Sequence, residues 1–339
     1  MTLSLTSSLW HDAEISTLFS AEAEIASVLR YETALAEAQT EIGLLNADAA
    51  TAISNACSQF KPDLMLLQTA ITRDGLAVPE LIGQLRQALP QQHSDKLHFR
   101  ATSQDAIDTT TILACGAALS ILELRLQSVV AQLATLSAQS GDVKHMARTR
   151  FQRALPITVA ERLDAWVVSL RYSIEQLAIL RSQCLMLQIG GPIGTDPSPW
   201  AEALARRLGL AAPTASWQTA RGRIVQTGTW AAVVSGSLGK IGADIALMAQ
   251  NEIAEVEIAG GGTSSAMAHK SNPVAAEILV ALARYNATLI AGLHQSMVHE
   301  QERSGSAWTL EWIVLPQMLE CTGAALRHTR DLFNRVKFR

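Results

Sequence analysis

The sequence is poor in charge and in cysteine. Charged residues make up 17% of the chain, below the usual quarter, while 48% are hydrophobic. The formal net charge of −4 comes without lysine or arginine clusters, so there is no electrostatic footprint for nucleic acid. Four cysteines (Cys57, Cys115, Cys184 and Cys321) are widely spaced, with no C-x-x-C and no Cys/His pairing, which excludes a disulfide scaffold and a zinc-ligand pattern. A reducing cytosol is the default compartment. The N-terminus lacks a basic region followed by a long apolar core, and no apolar run is read as reaching transmembrane length, so a cytoplasmic protein without a membrane partner is expected. No dinucleotide fingerprint, Walker loop or H-E-x-x-H is present, so neither a cofactor nor a metal is expected.

What is present is helical periodicity. Leu119, Leu122, Leu126, Val129, Leu133 and Leu136 recur at steps of three and four, as do Leu163, Trp166, Leu170, Ile174 and Leu177. Leu238, Ile241, Ile245 and Met248, then Ile278, Leu282, Tyr285 and Leu289, give two more stripes. These predict long bundle helices with packed faces, broken at Gly141, at residues 190–199 (GGPIGTDPSP) and at residues 260–262. A helical chain with so few charges is expected to hide surface in a homo-oligomer.

The most informative stretch is GGGTSSAMAHKSNPVAAE, residues 260–277. Three glycines suit a loop that closes over a ligand, Lys270 supplies a point positive charge and Asn272 an amide. Pro273 suits the first turn of a helix, whose free N–H groups favour an anion. A serine among such groups becomes a base or nucleophile because its oxyanion is stabilised. On composition alone the run also fits a Gly/Ser linker followed by an N-cap.

The ordered spacing of Ser, Met, Lys and Asn resembles the signature of the fumarase/aspartase superfamily, close to G-S-x-x-M-x-x-K-x-N. By that resemblance Ser264 matches the catalytic serine, with Ser265 beside it in support. Lys270 and Asn272 match the substrate-binding pair, and Glu277 the glutamate that partners a histidine. Ala268 stands where the superfamily has proline. LHFRATSQDAIDT (97–109) resembles the H-F-G-A-T-S-Q-D block, which implies Thr102 and Ser103 as a carboxylate anchor and His98 as a general acid, second to Ser264. Arg100 replaces the block's glycine and is open to two readings, a further carboxylate ligand or a solvated side chain.

ARTRFQRALPIT (147–158) aligns with the T-H-x-Q-x-A-x-P block, giving Gln152 as a substrate ligand but placing Arg150 where the superfamily's acid/base histidine falls. Arginine stays protonated and cannot do that proton transfer, though it can bind a carboxylate or pair with Glu277. This departure argues against fumarases and adenylosuccinate lyases. It is compatible with the 3-carboxy-cis,cis-muconate cycloisomerases, a branch whose E-x-E-R-x-x-x-x-W-x-x-E-W stretch resembles residues 299–312, with Arg303 as a carboxylate ligand and Trp308 and Trp312 as packing groups.

The resemblance implies an all-α fold: a long helical bundle (105–290) between a smaller N-terminal helical domain (1–104) and a reduced C-terminal helical region (291–339). It also implies a cytoplasmic homotetramer with shared active sites, acting without a cofactor on a small tricarboxylate. The expected reaction is cycloisomerisation of 3-carboxy-cis,cis-muconate in protocatechuate catabolism. The alternatives are a C–N lyase of the adenylosuccinate type that releases fumarate, or a non-catalytic member.

Overall fold

The computed structural model describes residues 4–263, 267 and 270–339. Five helices come first: α1 (Ala13–Thr17), α2 (Ala21–Glu41), α3 (Ala47–Gln59), α4 (Leu64–Asp74) and α5 (Val78–Gln87). Side-chain caps fix most of their starts, with Asp12 accepting from Ile15 N, Ser20 from Ala23 N and Asn46 from Ala49 N. Then come α6 (Ser103–Ser140), a hairpin of β1 (Lys144–Thr149) and β2 (Gln152–Thr158), α7 (Val159–Cys184), α8 (Ala201–Leu208) and α9 (Gly222–Met248). The chain finishes through β3 (Val256–Ile258), β4 (Gly262–Thr263), β5 (Ser271–Asn272), α10 (Val274–Gln295), α11 (Gly305–Phe333) and β6 (Val336–Phe338). The six strands form three antiparallel pairs, β1–β2, β3–β6 and β4–β5, on a fold that is otherwise all-α.

The long helices form the bundle. Helices α6, α9 and α11 run one way and α7 and α10 the other, as cross-contacts require: Trp166 Nε1 donates to Asp244, Asn286 Nδ2 to Ser235 Oγ and Trp308 Nε1 to Asp108. The stripes on α6, α7 and α9 lie in one core, with Ile174 at its edge. The α10 stripe is different. Tyr285 is exposed and donates to Gln317, while Ala276, Leu279, Leu282, Asn286 and Leu293 face inward. Helix α10 is apolar nearly all round, so periodicity alone did not identify its inner face.

By length and composition α6, α9 and α10 could each cross a membrane, with mean hydropathies of 1.5, 1.3 and 1.5. The expectation that no apolar run reaches spanning length is therefore corrected. Here these helices build the bundle, yet the most apolar stretch of α10 is only 22% buried. The expected domain boundary near residue 104 falls in the first turn of α6, and that near 290 falls inside α10; α11 then runs back along the bundle.

Glycines let α9 and α10 approach closely. A Cβ on Gly239 would lie 2.3 Å from Ala283 Cβ, and one on Gly242 would lie 2.6 Å from Ala276 O, which is backbone and cannot swing aside. We expect Gly242→Ala to lower stability by about 1–3 kcal/mol through overpacking, read from the denaturant midpoint at unchanged slope. The exposed Gly236→Ala, in the same helix with open space around it, is the control and should stabilise by about 0.5–1 kcal/mol through helix propensity.

Candidate active site

The sequence-predicted residues separate into two groups at opposite ends of the bundle. His98, Thr102, Ser103 and Arg303 lie at the end where α6 begins and the loop before α11 arrives. Arg150 and Gln152 sit on the β1–β2 hairpin at the end where α6 stops; Lys270, Asn272 and Glu277 share that end, because Glu255 in the preceding segment accepts from Met146 N and Arg148. A 38-residue α6 separates the two ends by about 57 Å.

At the near end, Asp105 reaches back from the first turn of α6 to accept from Thr102 N at 3.1 Å and from Gly191 N at 3.0 Å. Burial pushes the Asp105 carboxyl up to about 7, against those donors, Gln188 and the nearby His98. Arg303 donates through Nη2 to Thr102 Oγ1 at 3.3 Å and to Pro192 O at 3.1 Å, and through Nε to Gln104 Oε1 at 2.8 Å. The structure thus brings together Arg303 and Thr102, with Ser103 next in the chain and half-buried.

Gln104 is fully buried and donates Nε2 to Asp108 Oδ2 (3.1 Å) and Gln218 O (2.9 Å). Asp108 in turn accepts from Arg221 at 2.6 and 3.0 Å, and Arg221 also donates to both oxygens of Glu311, at 3.0 and 2.5 Å. A continuous set of hydrogen bonds therefore runs from a core ion triad through Gln104 to the Arg303 guanidinium. Burial lowers the Arg221 guanidinium's affinity for its proton, but the two carboxylates more than reverse this and hold it above its ordinary value.

His98 and Arg100 both have left-handed backbones, φ 57° and 56°. The glycine that Arg100 replaces is the residue suited to that conformation. The Arg100 side chain is partly solvated yet already engaged: it is paired with Asp196 at 2.8–3.1 Å and stacks 5.0 Å above Trp200. That clasp ties the 190–199 loop to the His98 loop.

At the far end Arg150 and Phe151 form the tip of the hairpin, with φ of 50° and 66°, and Phe151 is 82% exposed. Arg150, Gln152, Lys270 and Glu277 are exposed and Asn272 is half-buried. No ion pair joins Arg150 to Glu277 among the described residues. Glu277 lies in the first turn of α10, and Lys270 N donates to Met267 O at 3.0 Å. Ser264 and Ser265 lie outside the described residues.

Against known proteins, the lyase family profile matches residues 7–285. The chain belongs to this lyase family. It is 35% identical to a 3-carboxy-cis,cis-muconate cycloisomerase of Acinetobacter baylyi over 97% of the chain and 76% of that protein. It is also 35% identical to the enzyme of that name from Pseudomonas aeruginosa, over 94% of the chain and 72% of the relative. The crystal structure of the 3-carboxy-cis,cis-muconate lactonizing enzyme from Pseudomonas putida superposes with a TM-score of 0.91 at 32% identity, covering 99% of this chain and 77% of that one.

In this lyase-family chain the sequence blocks do not reveal the residues that hold Thr102 and Arg303 in place. Gln104 and Asp105 were in plain view as the Q-D of T-S-Q-D, but their spacing also fits an ordinary capping sequence. Nothing in the sequence marked Asp196 or Arg221 as neighbours of these blocks. Removing the Gln104 acceptor frees the Arg303 Nε. We expect Gln104→Leu to raise KM about tenfold or more while the fold persists at a cost of about 1–3 kcal/mol. Steady-state kinetics paired with denaturant titration checks both.

Proposed function

We propose that this chain catalyses the cycloisomerisation of 3-carboxy-cis,cis-muconate to a carboxymuconolactone. The observation that carries the reading is the match to cycloisomerases of that name over nearly the whole chain. Arg150 is in accord with it, since an arginine at that position stays protonated and cannot serve as the acid/base group of a fumarase-type lyase.

One substrate carboxylate adds to the conjugated double bond. The displaced electron pair moves onto the carboxylate conjugated with it, giving an enolate-like species, and a proton is delivered to carbon. Nothing leaves, so the product is an isomer. Lys270, Asn272, Thr102 and Ser103, with Arg150, Gln152 and Arg303, neutralise the carboxylates and the developing charge. Ser264 is our first assignment for proton transfer and His98 the second; Ser265 and Glu277 support the loop and the pairing around it.

A single chain holds only the two halves of such a site, one at each end of α6. We propose that the protein is a homotetramer in which the near end of one subunit meets the far end of another. Support comes from the exposed hairpin tip at Phe151 and Leu155 and from the uncovered apolar stretch of α10. Four buried, unpaired cysteines suit a cytoplasmic setting.

The test follows loss of the conjugated diene of 3-carboxy-cis,cis-muconate in the ultraviolet, with adenylosuccinate and argininosuccinate in parallel. Rapid loss with the muconate alone supports the reading. Turnover of a succinyl compound alone makes the chain a C–N lyase, and inertness toward all three favours a non-catalytic role.

A further inference from the structure

The left-handed His98 loop is over-determined by its surroundings. Gln39 Nε2 from α2 donates to Phe99 O at 2.8 Å, Arg86 from α5 donates to Leu97 O at 3.2 Å, and Ala101 N closes a turn on His98 O at 3.2 Å. Non-glycine residues in this backbone region are strained, and such strain gathers at functional sites. Its effect here is to turn the His98 imidazole toward α2.

There Nδ1 donates to Glu32 Oε1 at 2.6 Å. The Glu32 side chain has no exposed surface, and its other oxygen makes no hydrogen bond among the described residues. A buried carboxylate needs a cation or several donors, and this one has the imidazole. The His98 side chain keeps 11% of its surface open, and Nε2 has no hydrogen bond among the described residues. The pair therefore leaves one nitrogen anchored inward and the other available outward.

We propose that Glu32 is the positioning residue for proton transfer at the near end, holding His98 by Nδ1 so that Nε2 presents the proton. The assignment rests on the cycloisomerase reading only for the identity of the substrate. It gives the chain a histidine–carboxylate dyad from α2 and the 97–101 loop, whereas Arg150 removes the histidine at the far end. Charges facing His98 are Glu32 from α2, Asp105 from α6 and Arg86 from α5, with the Tyr31 phenol close to both acids. Burial alone pulls the imidazolium down, but Glu32 and then Asp105 outweigh it and Arg86, so the net shift is upward.

The experiment titrates His98 by NMR in histidine-labelled protein and measures kcat and KM against pH for the wild type, Glu32→Gln, Glu32→Asp and His98→Asn. A histidine that donates its proton sets the alkaline limb of activity. Losing the Glu32 charge disfavours the imidazolium, so in Glu32→Gln both the His98 titration and that limb should move down by about one pH unit or more, with KM little changed. Glu32→Asp should restore part of the shift. A wild-type His98 titrating at or below the ordinary histidine range overturns the proposal, even where a variant fails to fold. So does a Glu32→Gln titration that does not move, or full turnover by His98→Asn. Absence of any wild-type activity on the muconate would sink the substrate reading while the NMR titration still decides the dyad.

Discussion

Lys270→Ala leaves a folded protein whose turnover of 3-carboxy-cis,cis-muconate falls by about 10²–10³-fold or more. Lys270 is exposed at the far end of the bundle, so its loss opens no cavity and leaves no buried partner among the described residues. Under the proposed assignment what disappears is a positive charge beside the carboxylate on which negative charge builds, and kcat rather than KM should carry most of the loss. Ser264→Ala should behave alike. Far-end and near-end variants should also rescue each other. When Lys270→Ala and Arg303→Ala subunits are unfolded together and refolded, random assembly gives roughly a quarter of sites with both halves intact. Each variant alone stays inactive. No recovery in the mixture, with assembly verified, would mean that both halves of a site come from one chain.

Arg221→Ala is expected to lower stability by about 3–5 kcal/mol, the largest structural effect of any single change considered. Its guanidinium is fully buried and supplies the positive charge for both Asp108 and Glu311, which are 1% exposed. Removing it leaves two unpaired carboxylates in the core and withdraws the neighbour that fixes Asp108 under Gln104. A cation-π contact with the Trp217 ring, at 5.0 Å, goes as well. Denaturant unfolding against the wild type reads the loss. Asp108→Asn gives a second measure, because it keeps the shape while removing one charge of the triad and turning one of the two accepting oxygens toward Arg221, Gln104 and Trp308 into a donor. A change below about 1 kcal/mol in both variants would contradict the triad as a core determinant.

The leucine-rich stripes of α6, α7 and α9 were legible because each has one apolar face at a clear helical period. Helix α10 was not, because its apolar residues surround it and inner and outer faces look alike until neighbours choose. The blocks carrying Thr102, Ser103, Lys270, Asn272 and Arg303 were legible as ordered motifs of the lyase family. Their separation by the full length of α6 was not, since motif order says nothing of which ends of a bundle share a side. Arg100 shows the opposite case: the sequence flagged a missing glycine, and the backbone at φ 56° with its Asp196 clasp explains both why glycine suits the position and how arginine is accommodated. Glu32 could not have been found from spacing, being 66 residues from His98 on an otherwise unremarked helix.

The most direct test of ring closure without a leaving group is proton NMR of the reaction run in D2O with 3-carboxy-cis,cis-muconate. A single lactone isomer bearing one deuterium on the carbon that receives the proton, with no fumarate formed, is the result expected. An unchanged muconate spectrum, alongside fumarate released from a succinyl substrate by the same preparation, would contradict it.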